Sequence, residues 1–286
     1  MVRVSTVADL RGALTEARSS RAPIGFVPTM GALHRGHLSL VERARRSADL
    51  VVMSIFVNPR QFGPNEDFAR YPRPIEQDEH QAEESGVDVL FTPHVSEIYP
   101  IANGVTISAG DVAQRWEGEV RPGHFDGMLT VVAKLFNLVL PDFAVFGQKD
   151  LQQAALVRAM VRDLNMPLAI LVAPTVREAD GLAMSSRNRF LSPADRLRAV
   201  SLSRALSAAS SSFQSGTRDP REIESAGRAV LDTEPDVKVD YFAVVDGATL
   251  EPAEQASAGG WAVITAARIG ATRLIDNALL GESNGD

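Results

Sequence analysis

Residues 25–40, GFVPTMGALHRGHLSL, constrain the fold of this chain more than any other stretch. The apolar run Ile24, Phe26 and Val27 is short, carries a β-branched residue at each end and meets Pro28, which reads as a strand ending in a turn. Beyond Gly36, the residues Leu38, Val41, Ala44 and Ala48 recur at helical spacing, with Arg43, Arg45 and Arg46 in the outward positions. A strand thus feeds a helix whose first turn holds His37, with His34 one turn earlier. Amides at a helix start lack partners and carry partial positive charge, so phosphate is attracted there. Two imidazoles three residues apart can both donate to oxygens that gain charge as a phosphate bond breaks.

The rest of the chain supplies a frame for that stretch. An opening amphipathic helix is expected over residues 7–17, with Leu10, Ala13, Leu14 and Ala17 on one face. Residues 50–57, LVVMSIFV, form a continuous apolar run of the kind found in parallel strands buried on both faces. A helix over 75–85, a strand over 87–91, a short strand over 105–107, a helix over 125–140, a strand over 143–146, a helix over 151–165 and a strand over 168–172 follow. Strands alternating with helices predict a parallel sheet covered on both faces, with ligands outside the carboxyl ends of the strands. Unusual polar groups gather at those ends: residues 28–37, 58–61 and 147–153.

After Pro174 the character changes to a polar, basic loop, then helices over 193–213 and 220–231 and strands over 237–245 and 261–267. The expected fold is therefore α/β: a Rossmann-like parallel sheet over residues 1–175, and a smaller α+β C-terminal domain over 176–286.

Several chemistries are excluded or weakened by the same letters. Gly31 and Gly36 have the spacing of a P-loop, but His37 and Leu38 stand where that motif requires Lys and then Ser or Thr. The absence of cysteine and of ligand spacing around His80, His94 and His124 speaks against zinc, so no protein metal site is expected. A formal net charge of −7 argues against generic nucleic-acid binding. The start MVRVSTVADLRGAL lacks the apolar core of a signal peptide, and the apolar run over 128–140 is interrupted by Lys134 and Asn137. With no cysteine to form disulfides, a soluble, cytoplasmic protein without a membrane or nucleic-acid partner is expected.

Individually, the remaining polar residues admit plain readings. His34 and His37 alone are compatible with simple helix capping, and Lys149 and Asp150 with a solvated surface pair. Ser185, Ser186 and Arg187 offer two hydroxyls and a forked cation suited to phosphate oxygens. Gln61 and Gln153 are amides able to orient a small polar acid.

Together they form a pattern. His34-Arg35-Gly36-His37 resembles the HIGH-type signature, and Met184-Ser185-Ser186-Arg187-Asn188 the KMSKS-type loop, of the nucleotidyltransferase superfamily that includes class I aminoacyl-tRNA synthetases. More narrowly, PTMGALHRGH, SIFVNPRQF, RPGHF, VFGQKDLQQ and DGLAMSSRN, in this order, closely resemble the pantothenate synthetase (pantoate beta-alanine ligase) family, as does the tail Arg273-Leu274-Ile275-Asp276-Asn277. Arg35, Arg60 and Gln148 depart mildly from the family pattern.

That resemblance implies an acid-amine ligase, AMP-forming, acting in coenzyme A precursor biosynthesis through a pantoyl adenylate. His34, His37, Lys149, Ser185, Ser186 and Arg187 would stabilise the departing pyrophosphate, with His37 the assigned proton donor. Met30, Gly31, Ala32, Leu33, His34, Arg35, Gly36, His37, Gly147, Gln148, Lys149, Asp150, Val176, Met184, Ser185, Ser186 and Arg187 would line the ATP site. Gln61, Gln153 and Asn58 would bind pantoate and beta-alanine. Mg2+ would arrive with the ATP phosphates, the smaller domain would close over the site, and the protein would be a homodimer. Two alternatives stand beside this: another HIGH-type nucleotidyltransferase, or a non-catalytic nucleotide-binding module.

Overall fold

The computed structural model describes residues 1–64, 66–101, 104–254 and 260–281. It begins with the three-residue strand β1 (Val2–Val4), helices α1 (Val7–Ala13) and α2 (Thr15–Ser20), strand β2 (Ile24–Thr29), helix α3 (Arg35–Arg45) and strand β3 (Leu50–Ile55). Helix α4 (Ile75–Glu84), strand β4 (Val89–Phe91), short helices α5 (Val95–Ile98) and α6 (Glu117–Val120), helix α7 (His124–Val139), strand β5 (Phe143–Gly147), helix α8 (Leu151–Asp163) and strand β6 (Ala169–Ala173) follow. The chain ends in helices α9 (Pro193–Gln214) and α10 (Pro220–Leu231) and strands β7 (Val237–Asp246), β8 (Trp261–Ile269) and β9 (Thr272–Leu280).

Contacts divide the chain into two compact units: Met1–Gln148 with Leu156–Pro174, and Lys149–Ala155 with Thr175–Asp286. In the first, six parallel strands run in the order β1-β4-β3-β2-β5-β6. From β4 to β6 this is the doubly wound order, so chain direction switches between β2 and β5, where such sheets open a crevice at the carboxyl ends. Alternation along β2 sends Phe26 and Val27 to opposite faces. Phe26 meets Phe136 of α7, centroids 6.3 Å apart, while Val27 joins Val41, Ala44, Val51, Met53 and Val145 in a second layer. Both faces are buried, which is why β2 and β3 are mostly apolar.

The second unit carries the antiparallel sheet β7-β8-β9. Leu202 and Leu206 of α9 and Ile223 of α10 share its core with Phe242, Trp261 and Val263. The fold is thus α/β with a smaller C-terminal α+β unit.

Several expectations need correction. Pro28 does not end β2. The ladder to β5 covers Gly25 and Phe26 only, so the amide that proline lacks lies beyond that pairing. No strand forms over 105–107; Val105 is 93% exposed and the Ile107 amide bonds Thr130 Oγ1 of α7 instead. The helix expected over 7–17 breaks at Leu14 into α1 and α2, although Leu10, Leu14 and Ala17 are all buried. The C-terminal sheet has a third strand, β9, that the apolar pattern did not reveal.

Candidate active site

In the first unit, the turn after β2 is made by two left-handed residues, Gly31 at φ +78° and Ala32 at φ +50°. A Cβ at Gly31 would lie 2.8 Å from the Asp78 carboxylate, so glycine is required there on steric as well as conformational grounds. Asp78, buried at the start of α4, accepts from the amides of Ala32 at 2.8 Å and Leu33 at 2.7 Å. Two backbone donors that would otherwise be orphaned are satisfied by one carboxylate. Asp78 therefore sets the path by which the chain enters α3, and nothing in its local sequence marked it.

At the start of α3 the two histidines cap the helix reciprocally. His34 Nδ1 accepts from the Gly36 amide at 3.1 Å, and His37 Nδ1 accepts from the His34 amide at 3.3 Å. The rings lie 4.1 Å apart between centroids, tilted by 35°. With Nδ1 accepting in both, each neutral ring carries its proton on Nε2. The capping reading and the catalytic reading thus describe two ends of the same rings: Nδ1 holds the backbone and Nε2–H is a donor. The Gly36 amide goes to a side chain, so the expectation of unpaired amides at this helix start is narrowed.

Met30 comes together in space with Gln61 and Asn58, although 31 residues separate it from Gln61. Tyr99 donates its hydroxyl to Asn58 Oδ1 at 2.9 Å, and Asn58 Nδ2 donates to Gln61 Oε1 at 3.0 Å and to Gly127 O at 3.0 Å. Burial pushes the Tyr99 phenol up to about 12, against the opposing charge of Arg60, so the group stays a donor. This chain of bonds fixes the amide of Gln61: its oxygen is used, and its Nε2 lies 3.2 Å from Met30 Sδ as a donor. A donor at that position suits the oxygens of a carboxylate or hydroxyl. Gly127 lets α7 approach the turn, since a Cβ there would fall 2.1 Å from Arg60 O.

The backbone of Gln61 is held from the other side. Its carbonyl lies 2.8 Å from His124 Nδ1 and 3.3 Å from Arg121 Nη2, while Arg121 Nη1 lies 3.1 Å from His124 Nε2 and its Nε 2.9 Å from Glu66 Oε1. Arg121 can only donate, so His124 is neutral with its proton on Nδ1. Burial, then the Arg121 charge, lower its pKa to about 4. Glu66 is lowered as well: burial opposes, but the hydrogen bond and charge of Arg121 prevail.

In the second unit, Lys149 and Asp150 leave a single 3-10 turn side by side, Nζ and Oδ1 3.7 Å apart, and the Lys149 carbonyl accepts from Asn277 Nδ2 of β9 at 3.0 Å. Gln153 is half-buried on α8. A hairpin carries the remaining residues. The Met184 amide bonds Val176 O at 2.9 Å, and Arg177 bridges Ala183, bringing Val176 and Met184 together. Ser185 caps the 3-10 turn Ser186–Phe190 by accepting from the Arg187 amide at 3.3 Å. Asn188 donates to Glu178 Oε1 at 2.7 Å and Ala183 O at 3.0 Å. Arg177 forks onto Asp276 at 2.6 and 3.0 Å.

A doubly wound parallel sheet, with a histidine-capped helix after its central strand and hydrogen-bond donors beyond its carboxyl ends, defines a Rossmann-like α/β protein. The model of the family described as Pantoate-beta-alanine ligase matches residues 3–279. The chain belongs to that family, whose members are ligases. It is 52% identical over 294 residues to a pantothenate synthetase of Acidobacterium capsulatum, covering 99% of this chain and 98% of that protein. The crystal structure of a pantothenate synthetase from Thermus thermophilus superposes with TM-score 0.92 at 50% identity, over 97% of this chain and 99% of that one. A pantoate-beta-alanine ligase from Francisella tularensis, solved with beta-gamma ATP and beta-alanine, gives TM-score 0.79 at 35% identity, over 98% and 97%. Likeness of this extent favours neither another HIGH-type nucleotidyltransferase nor a non-catalytic module. No helix among the described residues is long and apolar enough to cross a membrane.

Proposed function

We propose that the protein condenses pantoate with beta-alanine in two steps driven by ATP. A pantoate carboxylate oxygen attacks the α-phosphorus and pyrophosphate leaves; the amine then attacks the acyl carbon, AMP leaves with the bonding pair and the nitrogen loses a proton. Adenylation is needed because a carboxylate is a poor electrophile. The observation that carries this reading is the match over residues 3–279, which spans the HRGH turn, Gln61, Lys149 and the Met184–Arg187 segment alike.

In this reading, His34 and His37 turn Nε2–H toward the phosphates, and His37 donates to the departing pyrophosphate. Lys149, Ser185, Ser186 and Arg187 add donors and charge, the largest usual catalytic contribution. Met30, Gly31, Ala32, Leu33, Arg35, Gly36, Gly147, Gln148, Asp150, Val176 and Met184 complete the ATP surface. Gln61, oriented by Asn58, and Gln153 take pantoate, with beta-alanine near Gln61. Closure of the C-terminal unit protects the adenylate from water.

Mg2+ characteristically takes one or two carboxylates with substrate phosphates. In this reading the ion arrives on the ATP phosphates. Such an ion would neutralise phosphate charge. The family resemblance extends the reading to a cytoplasmic homodimer.

Pyrophosphate release from purified protein with MgATP and pantoate tests the reading. Release that accelerates on adding beta-alanine is expected, and a His37→Ala variant should lose about 10²–10³-fold in rate. ATP binding with no response to pantoate would overturn it.

A further inference from the structure

The tail Arg273-Leu274-Ile275-Asp276-Asn277 has no role in the chemistry above. Arg273 has a structural partner, since its Nε lies 2.6 Å from Asp240 of β7. Asp276 and Asn277 do not fit so simple an account. They sit mid-strand in β9, 4% and 2% exposed, opposite Thr265 and Ile264 of β8. An antiparallel strand packed on a core has no need of a buried carboxylate and amide, and each is costly unless bonded.

Each is bonded to a different segment. Asn277 Nδ2 donates to the main-chain oxygen of Lys149 at 3.0 Å, 128 residues away. Asp276 receives both arms of Arg177, whose Nη1 also donates to Gly181 O at 3.1 Å, inside the turn of the hairpin that ends in Met184. The two side chains are adjacent in sequence, and the Asn277 amide itself donates to Asp276 Oδ1 at 2.8 Å. One dipeptide in β9 thus ties down the Lys149 segment and the hairpin that leads to Arg187.

We propose that Asn277 and Asp276 are positioning residues for phosphate handling: Asn277 sets the Lys149 main chain, and Asp276, through Arg177, sets the hairpin that presents Ser185, Ser186 and Arg187. This rests on the reading of those four residues as phosphate ligands. In this proposal both act through other residues and not on substrate. Supporting groups behind reacting ones commonly govern activity about ten- to a hundredfold.

A double-mutant cycle on the purified full chain tests this, reading steady-state pyrophosphate release with MgATP, pantoate and beta-alanine. Asn277→Ala should lower kcat about ten- to a hundredfold with the KM for pantoate unchanged. Lys149→Ala should be slower still, and the double variant no slower than Lys149→Ala, since on this proposal the Asn277 side chain serves the chemistry by way of Lys149. For the other arm, Asp276→Asn should raise the KM for ATP and be non-additive with Arg187→Ala; Arg177→Lys, which keeps the charge and loses the fork, replaces it if that variant does not fold. Additive losses, or an activity loss that merely follows a fallen Tm, overturn the positioning role. A Lys149→Ala variant with the wild-type rate would instead sink the reading of Lys149 itself, and the role of Asn277 with it.

Discussion

The turn that carries His34 and the hairpin that carries Arg187 are given comparable jobs but are held in different ways. Beneath the first lies Asp78, buried and bonded to two amides, and beside it Gln61 is held by Asn58, His124 and the Arg121–Glu66 pair. Around the second, Arg196 reaches Glu178 at 2.6 Å and Asp180 at 2.7 Å, all three a quarter to a third exposed. Buried bonds depend on geometry and on each partner keeping its protonation state. Half-exposed ion pairs depend on ionic strength. The first arrangement should fail when a partner is removed or protonated; in the second, the Arg196 pairs should weaken when salt is added, while the Arg177 fork on buried Asp276 should not.

The sharpest way to break the comparison is Asp78→Ala, which orphans the Ala32 and Leu33 amides and should cost about 3 kcal/mol in urea denaturation. A loss as small as that of a surface residue would show that the turn holds itself.

Acid probes the next largest effect. The folded pKa of His124, about 4, lies below the ordinary 6.5, so the neutral ring is the one that folding favours. Its contribution is complete above pH 6.5 and is lost as pH falls toward 4, where the folded ring also protonates. This one group should make the protein about 2 kcal/mol less stable at pH 5 than at pH 7, a difference that His124→Gln abolishes. Glu66, also lowered, adds its loss below the usual carboxylate range, so the variant comparison isolates the histidine.

The smallest effect belongs to the hairpin. Arg196→Ala should cost under about 1 kcal/mol at low salt and nothing measurable at about 1 M NaCl. A larger, salt-independent loss would erase the distinction between the two regions.

Most of the parallel sheet was legible in sequence, because strands dry on both faces must be apolar throughout and helices between them must be amphipathic. The HRGH turn was legible for a local reason: cap residues and helix start adjoin in the chain. β1 escaped because three residues carry no period. β9 escaped because Asp276 and Asn277 interrupt its apolar pattern, and the same two residues hold Lys149 and Arg177. His124 and Arg121 lie in RPGHF, visible as a family motif, but neutrality of the histidine follows only from the arginine beside it.

What the sequence by itself determined is chemistry that is local in the chain: which residues start the helix, which amides and cations are on offer, and that the strands are parallel. What only the tertiary structure decided is which distant group completes each one. Asp78 meets amides 46 and 45 residues away, and Asn277 a carbonyl 128 residues away. The physical reason is that a buried polar group must find a partner, while chain spacing restricts only near neighbours. Packing of the sheets chooses among the rest.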